Sequence, residues 1–416
     1  MSLPIIIDKS TFQSLSFNEM ILLHNYYRPN ITPILMMEIM ADLKKEFDTT
    51  VASIKRVQDF AKKLLPYNSS VNIFFMELFL GDLLYGKTII DYTPVLGCSE
   101  LVKSESGKLG FHFRESPQER AISRWRDGDF VEAEKELAQI WRNYTTQKEL
   151  LENLKESLKD KIKIPENFNS IEELNIHVNN LLDNPNTQEE ILIFLISEFG
   201  VSAENASQIF FRWSQSNSKN VKSFAPYAYF CGKVKLLFEL SLRFNLVGTR
   251  PTNIVDLQYL FYLPFTKLFA SSDKFHILLA PYLLDSKQDF IDGRELKNDL
   301  KRLNEYRDSL SDVNDIKRTQ NEPPQLPDSL TYKIWHKYFY WPSKHNRIDI
   351  KGPDNYKEIM NEFISAKRTN TDLFNKKDGI EFIVKEHNLK LTDLCICGSG
   401  KLFKDCCYTK GHYNDH

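Results

Sequence analysis

Two groups of residues in this chain have types and spacings suited to chemistry. The first lies at the end. Four of the six cysteines fall in the last 22 residues, as Cys395-Ile-Cys397, eight residues, then Cys406-Cys407. Two thiolates one residue apart, facing two adjacent thiolates across a Gly-Ser-Gly turn, can close on one tetrahedral Zn²⁺. Gly398 and Gly400 let the backbone fold tightly beneath such an ion. Zinc held by four thiolates has no open position, so it is structural rather than catalytic. The second group is acidic. Asp8 follows an apolar run, Pro4 to Ile7, that suits a buried parallel strand. Asp273 follows a second strand candidate, Lys267 to Ser271. Glu38 and Asp42 are four apart on one predicted helix and share a face. Asp256 begins the helix leading into the second strand. In an open parallel sheet, ligands gather at the carboxyl ends of strands. Carboxylates converging there without basic partners repel one another, and one or two Mg²⁺ or Mn²⁺ ions are the usual resolution. Such ions activate water and stabilise the leaving oxygen in phosphodiester hydrolysis.

The elements that must position these groups read as follows. Ser16 caps a helix holding Met20 to Leu23, and a short strand then leads to Thr32, the cap of a helix starting at Pro33. Further helices are expected over 50–65 and 70–84. Residues 95–115, with Gly97, Gly107 and Gly110 and alternating Leu109, Phe111 and Phe113, predict a hairpin or arm. Charged helices follow from Pro117, and a buried helix spans Pro226 to Leu246. Helical patterns resume near Phe275 and from Arg294 to Leu310. TQNEPPQLP at 319–327 is a linker by composition, and residues 380–387 read as a small helix.

Both groups resemble known modules. CICGSGKLFKDCC resembles the SEC-C motif, a small zinc module, and the resemblance implies Cys395, Cys397, Cys406 and Cys407 as its ligands. Such modules are associated with protein and ribosome contacts, and Lys401, Lys404 and Lys410 give this one a basic surface. Asp8 and Ser10 after a first strand, a Thr-Pro helix bearing Glu38, Asp256 on a helix and Asp273 17 residues later resemble a PIN-like nuclease domain. That resemblance implies an α/β fold: a PIN-like parallel sheet flanked by helices. Asp8, Glu38, Asp256 and Asp273 would be its catalytic metal-holding acids, Ser10 and Ser271 would hold the acids or metal water, and Asp42 would be an extra acid. The expected organisation is a first PIN-like part at 1–95, a hairpin plus large α-helical insertion at 96–224, and a second PIN-like part at 225–315. A linker and aromatic/helical segment follows at 316–390, and the small C-terminal zinc module at 391–416. The insertion of about 130 residues sets this chain apart from small PIN-like proteins.

The leading expectation is a metal-dependent nuclease, foremost a ribonuclease, using Mg²⁺ or Mn²⁺, with structural Zn²⁺ in the tail. The alternative is a non-catalytic adaptor that binds protein or ribosome partners through the tail and a degenerate PIN-like scaffold. Uncompensated acids would favour the enzyme, and neutralising one should relieve repulsion and leave stability equal or higher. The net charge of −2 excludes a global electrostatic case for nucleic acid, so binding must come from local patches. P-loop, nucleophile-elbow and H-E-x-x-H motifs are absent from the sequence. The segment MSLPIIIDKSTF lacks the features of a signal peptide, and the apolar stretch Phe224 to Val247 carries Lys233, Lys235, Glu239 and Arg243. The expectation is a cytoplasmic protein with reduced cysteines and no membrane span. His276 reads as a helix-surface histidine. Arg120, Arg124, Trp125 and Arg126 read as an exposed helix face rather than a phosphate grip. Trp335, Phe339 and Trp341 read as packing the C-terminal region onto the main domain.

Overall fold

Three consecutive isoleucines make the run Leu3–Ile7 a strand, β1, with Ile5 and Ile6 fully buried. The computed structural model describes residues 3–45, 50–64, 70–86, 88–147, 149–161, 167–217, 219–312, 326–339, 367–368, 382–385, 390–393, 401–406 and 408–409. Asp8 ends β1 and caps α1 (Lys9–Ser14). Ser16 and Glu19 form a complete capping box on α2 (Phe17–Tyr26), and the chain returns as β2 (Tyr27–Ile31). Thr32 caps α3 (Pro33–Ala41), which runs into a one-turn helix, Asp42–Lys44. After α4 (Thr50–Lys63) comes β3 (Ser70–Val71), then α5 (Phe75–Tyr85). The helix expected over 70–84 therefore begins as a strand. Two residues are too few to show a periodicity, and the pairing of β3 with Asn30 and Ile31 makes it one.

The predicted hairpin is present as β4 (Ser99–Lys103) and β5 (Leu109–Phe113), paired antiparallel. The helices of the insertion follow: α6 (Pro117–Asp127), α7 (Glu132–Thr146), α8 (Leu150–Lys161), α9 (Ile171–Leu182), α10 (Gln188–Glu198), α11 (Ala203–Gln215) and α12 (Val221–Phe224). The expected buried helix is α13 (Pro226–Arg243), whose buried Glu239 is neutralised by Lys235 at 2.8 Å. Next come α14 (Asn253–Leu260), β6 (Leu268–Ser271), α15 (Lys274–Leu279), β7 (Asp289–Asp292), α16 (Gly293–Ser309) and α17 (Leu330–Tyr338). β8 (Lys367–Arg368) and β9 (Phe382–Lys385) are the last described strands, and a one-turn helix, Phe403–Asp405, follows them.

The main sheet has five parallel strands in the order β3-β2-β1-β6-β7. From β1 the chain builds outward through β2 to β3, then returns to the other side of β1 with β6. The order reverses between β1 and β6, so a crevice is expected above their carboxyl ends, at Asp8 and Ser271 to Asp273. β7 has no sequence signature, because its four residues begin and end in Asp and its pairing with β6 supplies what its pattern lacks. The helix expected over 380–387 is corrected within its described part. Phe382–Lys385 is a strand parallel to β5, and β-branched Ile383 and Val384 favour that state. It completes a second sheet, β8-β4-β5-β9.

Helices flank the main sheet, and buried side chains of the insertion, such as Ile122, Trp125, Leu174 and Leu192, share one core with it. Of Arg120, Arg124 and Arg126, only Arg120 lies exposed as expected. Trp125 is 2% exposed, Arg124 pairs with Glu134, and Arg126 donates to the carbonyls of Ala61 and Leu64 at the end of α4. Trp335 docks α17 as expected, donating Nε1–H to the Tyr26 carbonyl at 3.0 Å. Trp341 lies outside the described residues. Gly293 lets α16 start close against the sheet's switch point. A Cβ there would sit 2.3 Å from Thr11 Oγ1 and 2.6 Å from Ser272 Oγ. Among the described residues, no helix is long and apolar enough to cross a membrane.

Candidate active site

Asp8, Glu38, Asp42, Asp256 and Asp273 all line one cleft of about 440 Å³. Each arrives on a different local device. Asp8 stands at the β1–α1 junction, where Oδ1 accepts from the Thr11 amide at 3.0 Å and Oδ2 from Ser10 Oγ at 2.6 Å. Asp273 stands at the β6–α15 junction and caps α15 through the Phe275 amide at 2.8 Å. Glu38 projects from α3 and Asp256 from the first turn of α14.

The acids are not uncompensated, which corrects the expectation that they converge without basic partners. One nitrogen of Arg250, Nη2, donates to Asp256 Oδ2 and to Asp273 Oδ2, each at 2.7 Å. Asp42 pairs with Lys9 at 3.0 Å and Arg56 at 2.7 Å, with Lys45 at 4.0 Å. Lys9 also donates to the Glu38 carbonyl at 2.6 Å. The Tyr259 hydroxyl donates to Glu38 Oε2 at 2.5 Å.

His276 is the clearest departure from the sequence reading. It is fully buried beneath the site, not on a helix surface. Nε2 is 2.8 Å from the Asp256 carbonyl, which can only accept, so Nε2 carries a proton. Nδ1 is 2.8 Å from Ser271 Oγ and 3.8 Å from Asp8 Oδ2. Ser271 Oγ also accepts from the Asp273 amide at 3.0 Å. His276 thus links β6, α14 and the two junction acids. Ser10 holds an acid as the resemblance implies, whereas Ser271, fully buried, acts through this network.

These environments divide the acids. Burial pushes the Asp8 carboxyl up, but His276, Ser10 and Thr11 outweigh it and bring it down to about 2. Asp42 is likewise held below the usual range, because Lys9 and Arg56 outweigh its burial. Burial dominates at Glu38 and, despite Lys9 and Tyr259, lifts it to about 7. Burial also lifts Asp256 to about 6, against His276 and Arg250. Glu38 is half-buried and lines the cleft. Burial, reinforced by the neighbouring Asp256 and Asp8, fixes the sign of the pH dependence at Glu38. Folding disfavours the charged form of Glu38, so the penalty is absent below its ordinary value of 4.5 and complete above about 7. Glu38→Gln is expected to raise stability at pH 8 by on the order of 2 kcal/mol, after allowance for its partial exposure, and to leave it unchanged near pH 4. Urea denaturation at both pH values in EDTA measures this, and equal gains at both would contradict it.

Basic and aromatic side chains also line the cleft. α7 packs on α3 and the Asp42–Lys44 turn, which brings Trp141, Arg142 and Thr145 to the cleft beside Lys9 and Lys45. Burial lowers the Lys45 ammonium; Asp42 opposes this, and Arg56, Lys9 and Arg142 reinforce it. Around Asp42, cations therefore outnumber the anion. None of these residues carries a sequence motif. Lys9 sits between Asp8 and Ser10, Arg250 lies six residues before Asp256, and α7 reads only as a charged helix.

In donor type the acids suit a hard divalent cation, since all offer carboxylate oxygens. Among the described residues, however, no group of three or more His, Cys, Asp or Glu side chains is arranged to hold an ion as the site stands. Arg250 and Tyr259 already engage oxygens of Asp256, Asp273 and Glu38. Of the four tail cysteines, Cys395, Cys397 and Cys407 lie outside the described residues. Cys406 is buried beside Phe403 and Tyr408 in a small apolar cluster. The turn at 390–393 packs beside it, the Asp393 carbonyl accepting from the Phe403 amide at 2.7 Å. Lys390 pairs with Asp127 at the end of α6.

The model of the SEC-C motif matches residues 392–409, so the tail is similar to that motif. No curated protein matches the chain, and no solved structure does.

Proposed function

We propose that this chain is a cytoplasmic metal-dependent nuclease, foremost a ribonuclease, built on a PIN-like core with a zinc-binding docking tail. The observation that carries the reading is the convergence of Asp8, Glu38, Asp256 and Asp273 in one cleft where the strand order reverses. A cleft lined by these acids and by Lys9, Lys45 and Arg142 suits a phosphodiester, because the carboxylates can hold cations and the cationic side chains the backbone phosphates. Mg²⁺ or Mn²⁺ held by Asp8, Glu38, Asp256 and Asp273 would supply an activated water and charge stabilisation at the leaving oxygen. The chain's own residues orient and protect that site. His276 and Ser10 keep Asp8 ionised, Tyr259 fixes the Glu38 rotamer, and Lys9 ties α1 to α3 so that the two acids keep their spacing. Incubation of labelled single-stranded RNA with the protein and Mn²⁺ tests the reading. Absence of cleavage on both RNA and DNA would instead favour the adaptor function.

In the tail, Cys395, Cys397, Cys406 and Cys407 would hold one Zn²⁺. Phe403, Cys406 and Tyr408 form too small a cluster to support a fold alone. The tail's lysines suit a protein or ribosome partner. Cys397→Ser, or a strong zinc chelator, is expected to release about one zinc per chain and to make the last 25 or so residues protease-sensitive, leaving the main melting transition in place. Global unfolding would show that the tail belongs to the main core.

A further inference from the structure

We infer that Arg250 is a built-in counter-ion occupying the bridging position between Asp256 and Asp273, so that divalent-ion entry and release of Arg250 are a single exchange. This rests on the metal-site reading above and goes beyond it by giving the site an internal competitor. Three observations point to it. A single guanidinium nitrogen contacts both carboxylates at 2.7 Å, as a bridging cation would. The two acids come from different elements, α14 and the β6–α15 junction, and among the described residues Arg250 is the one side chain in salt-bridge contact with either carboxylate. The Arg250 side chain is 53% exposed and lines the cleft, so it has room to leave.

A divalent ion and a guanidinium cannot both bridge the same two oxygens at contact distance, because two cations there would repel. Loading the ion therefore breaks two charge-assisted hydrogen bonds. The apparent affinity for the ion is lowered by the fraction of molecules in which Arg250 is bound. The released guanidinium stays beside the cleft, where a substrate phosphate is the next available anion.

Isothermal titration of Mn²⁺ into the full chain tests the exchange without reference to activity. Arg250→Gln is expected to bind Mn²⁺ about tenfold more tightly than wild type, since the ion no longer displaces a cation. Arg250→Lys keeps a charge on a shorter side chain and should fall between. The melting temperature of Arg250→Gln should drop in EDTA and recover with Mn²⁺, because the ion replaces the missing charge. If Arg250→Gln does not fold in either condition, the order of Arg250→Lys and wild type decides: tighter binding supports the exchange. Affinity equal to or weaker than wild type in the folded variants would overturn it. RNA cleavage is scored separately. Mn²⁺ binding with the expected order but no cleavage would sink the nuclease reading alone, and cleavage with unchanged Mn²⁺ affinity would sink the exchange alone. No Mn²⁺ binding by any of the three proteins would overturn both.

Discussion

Asp8→Asn and Asp273→Asn are each expected to lower Mn²⁺-dependent RNA cleavage on the order of a hundredfold or more, with EDTA abolishing it in wild type. Each substitution keeps the side chain's shape and removes one negative charge from the cleft. The stability of Asp8→Asn follows from its surroundings. Asp8 is 3% exposed and its carboxyl is held at about 2, below its ordinary 3.8, so its ionised form is favoured by the fold. That contribution is present above the unfolded value and lost as pH falls toward 2. Asp8→Asn should therefore cost on the order of 2 kcal/mol at pH 7. The expectation from crowded acids alone, that neutralising one leaves stability equal or higher, does not hold for Asp8, because its neighbours are His276, Ser10 and Thr11 rather than only other acids. It is expected to hold for Glu38, which has burial and two nearby carboxylates against it. Activity retained in both variants would place the chemistry elsewhere, and an Asp8→Asn protein as stable as wild type would contradict the electrostatic account.

His276→Ala is expected to destabilise the fold by about 3 kcal/mol, among the larger single-residue effects. The change removes a fully buried ring and leaves the Asp256 carbonyl and the Ser271 hydroxyl each short of a partner. Burial lowers the imidazole's proton affinity, but Asp8 and Asp256 outweigh it and raise the group above its ordinary 6.5. A raised value means that the charged ring adds stability fully present below about 6.5 and lost as pH rises through the folded value. The gap between wild type and His276→Ala should accordingly be wider near pH 5.5 than near pH 9, measured by urea denaturation. A gap independent of pH would mean that the ring acts by packing alone. Because His276 spans both strand-end junctions, the variant should also loosen Asp8 relative to Asp273 and so reduce cleavage.

Much of the fold could be read from local pattern. β1 is legible because three isoleucines in a row suit a strand buried on both faces, and α2 and α3 because Ser16, Glu19, Thr32 and Pro33 are strong local start signals. The hairpin at Ser99–Phe113 follows from alternation and glycine placement. β3 and β7 are not legible, since their residues carry little or contrary local preference and become strands by pairing with neighbours distant in sequence, whereas β9 carries a strand preference in Ile383 and Val384 that a four-residue run is too short to make decisive. The acids were found because Asp8 and Asp273 follow readable strands, and Glu38 and Asp256 lie on readable helices. Their charge state was not. Whether a carboxylate meets another carboxylate or a guanidinium depends on residues brought from elsewhere: Arg250 from the turn before α14, Tyr259 from its face, and α7 from the insertion. Amino-acid types and spacings determined which groups could do chemistry and which elements carry them. The tertiary structure alone decided their partners, since electrostatic energy falls off over a few ångströms and those distances are set by packing between elements, not by spacing along the chain.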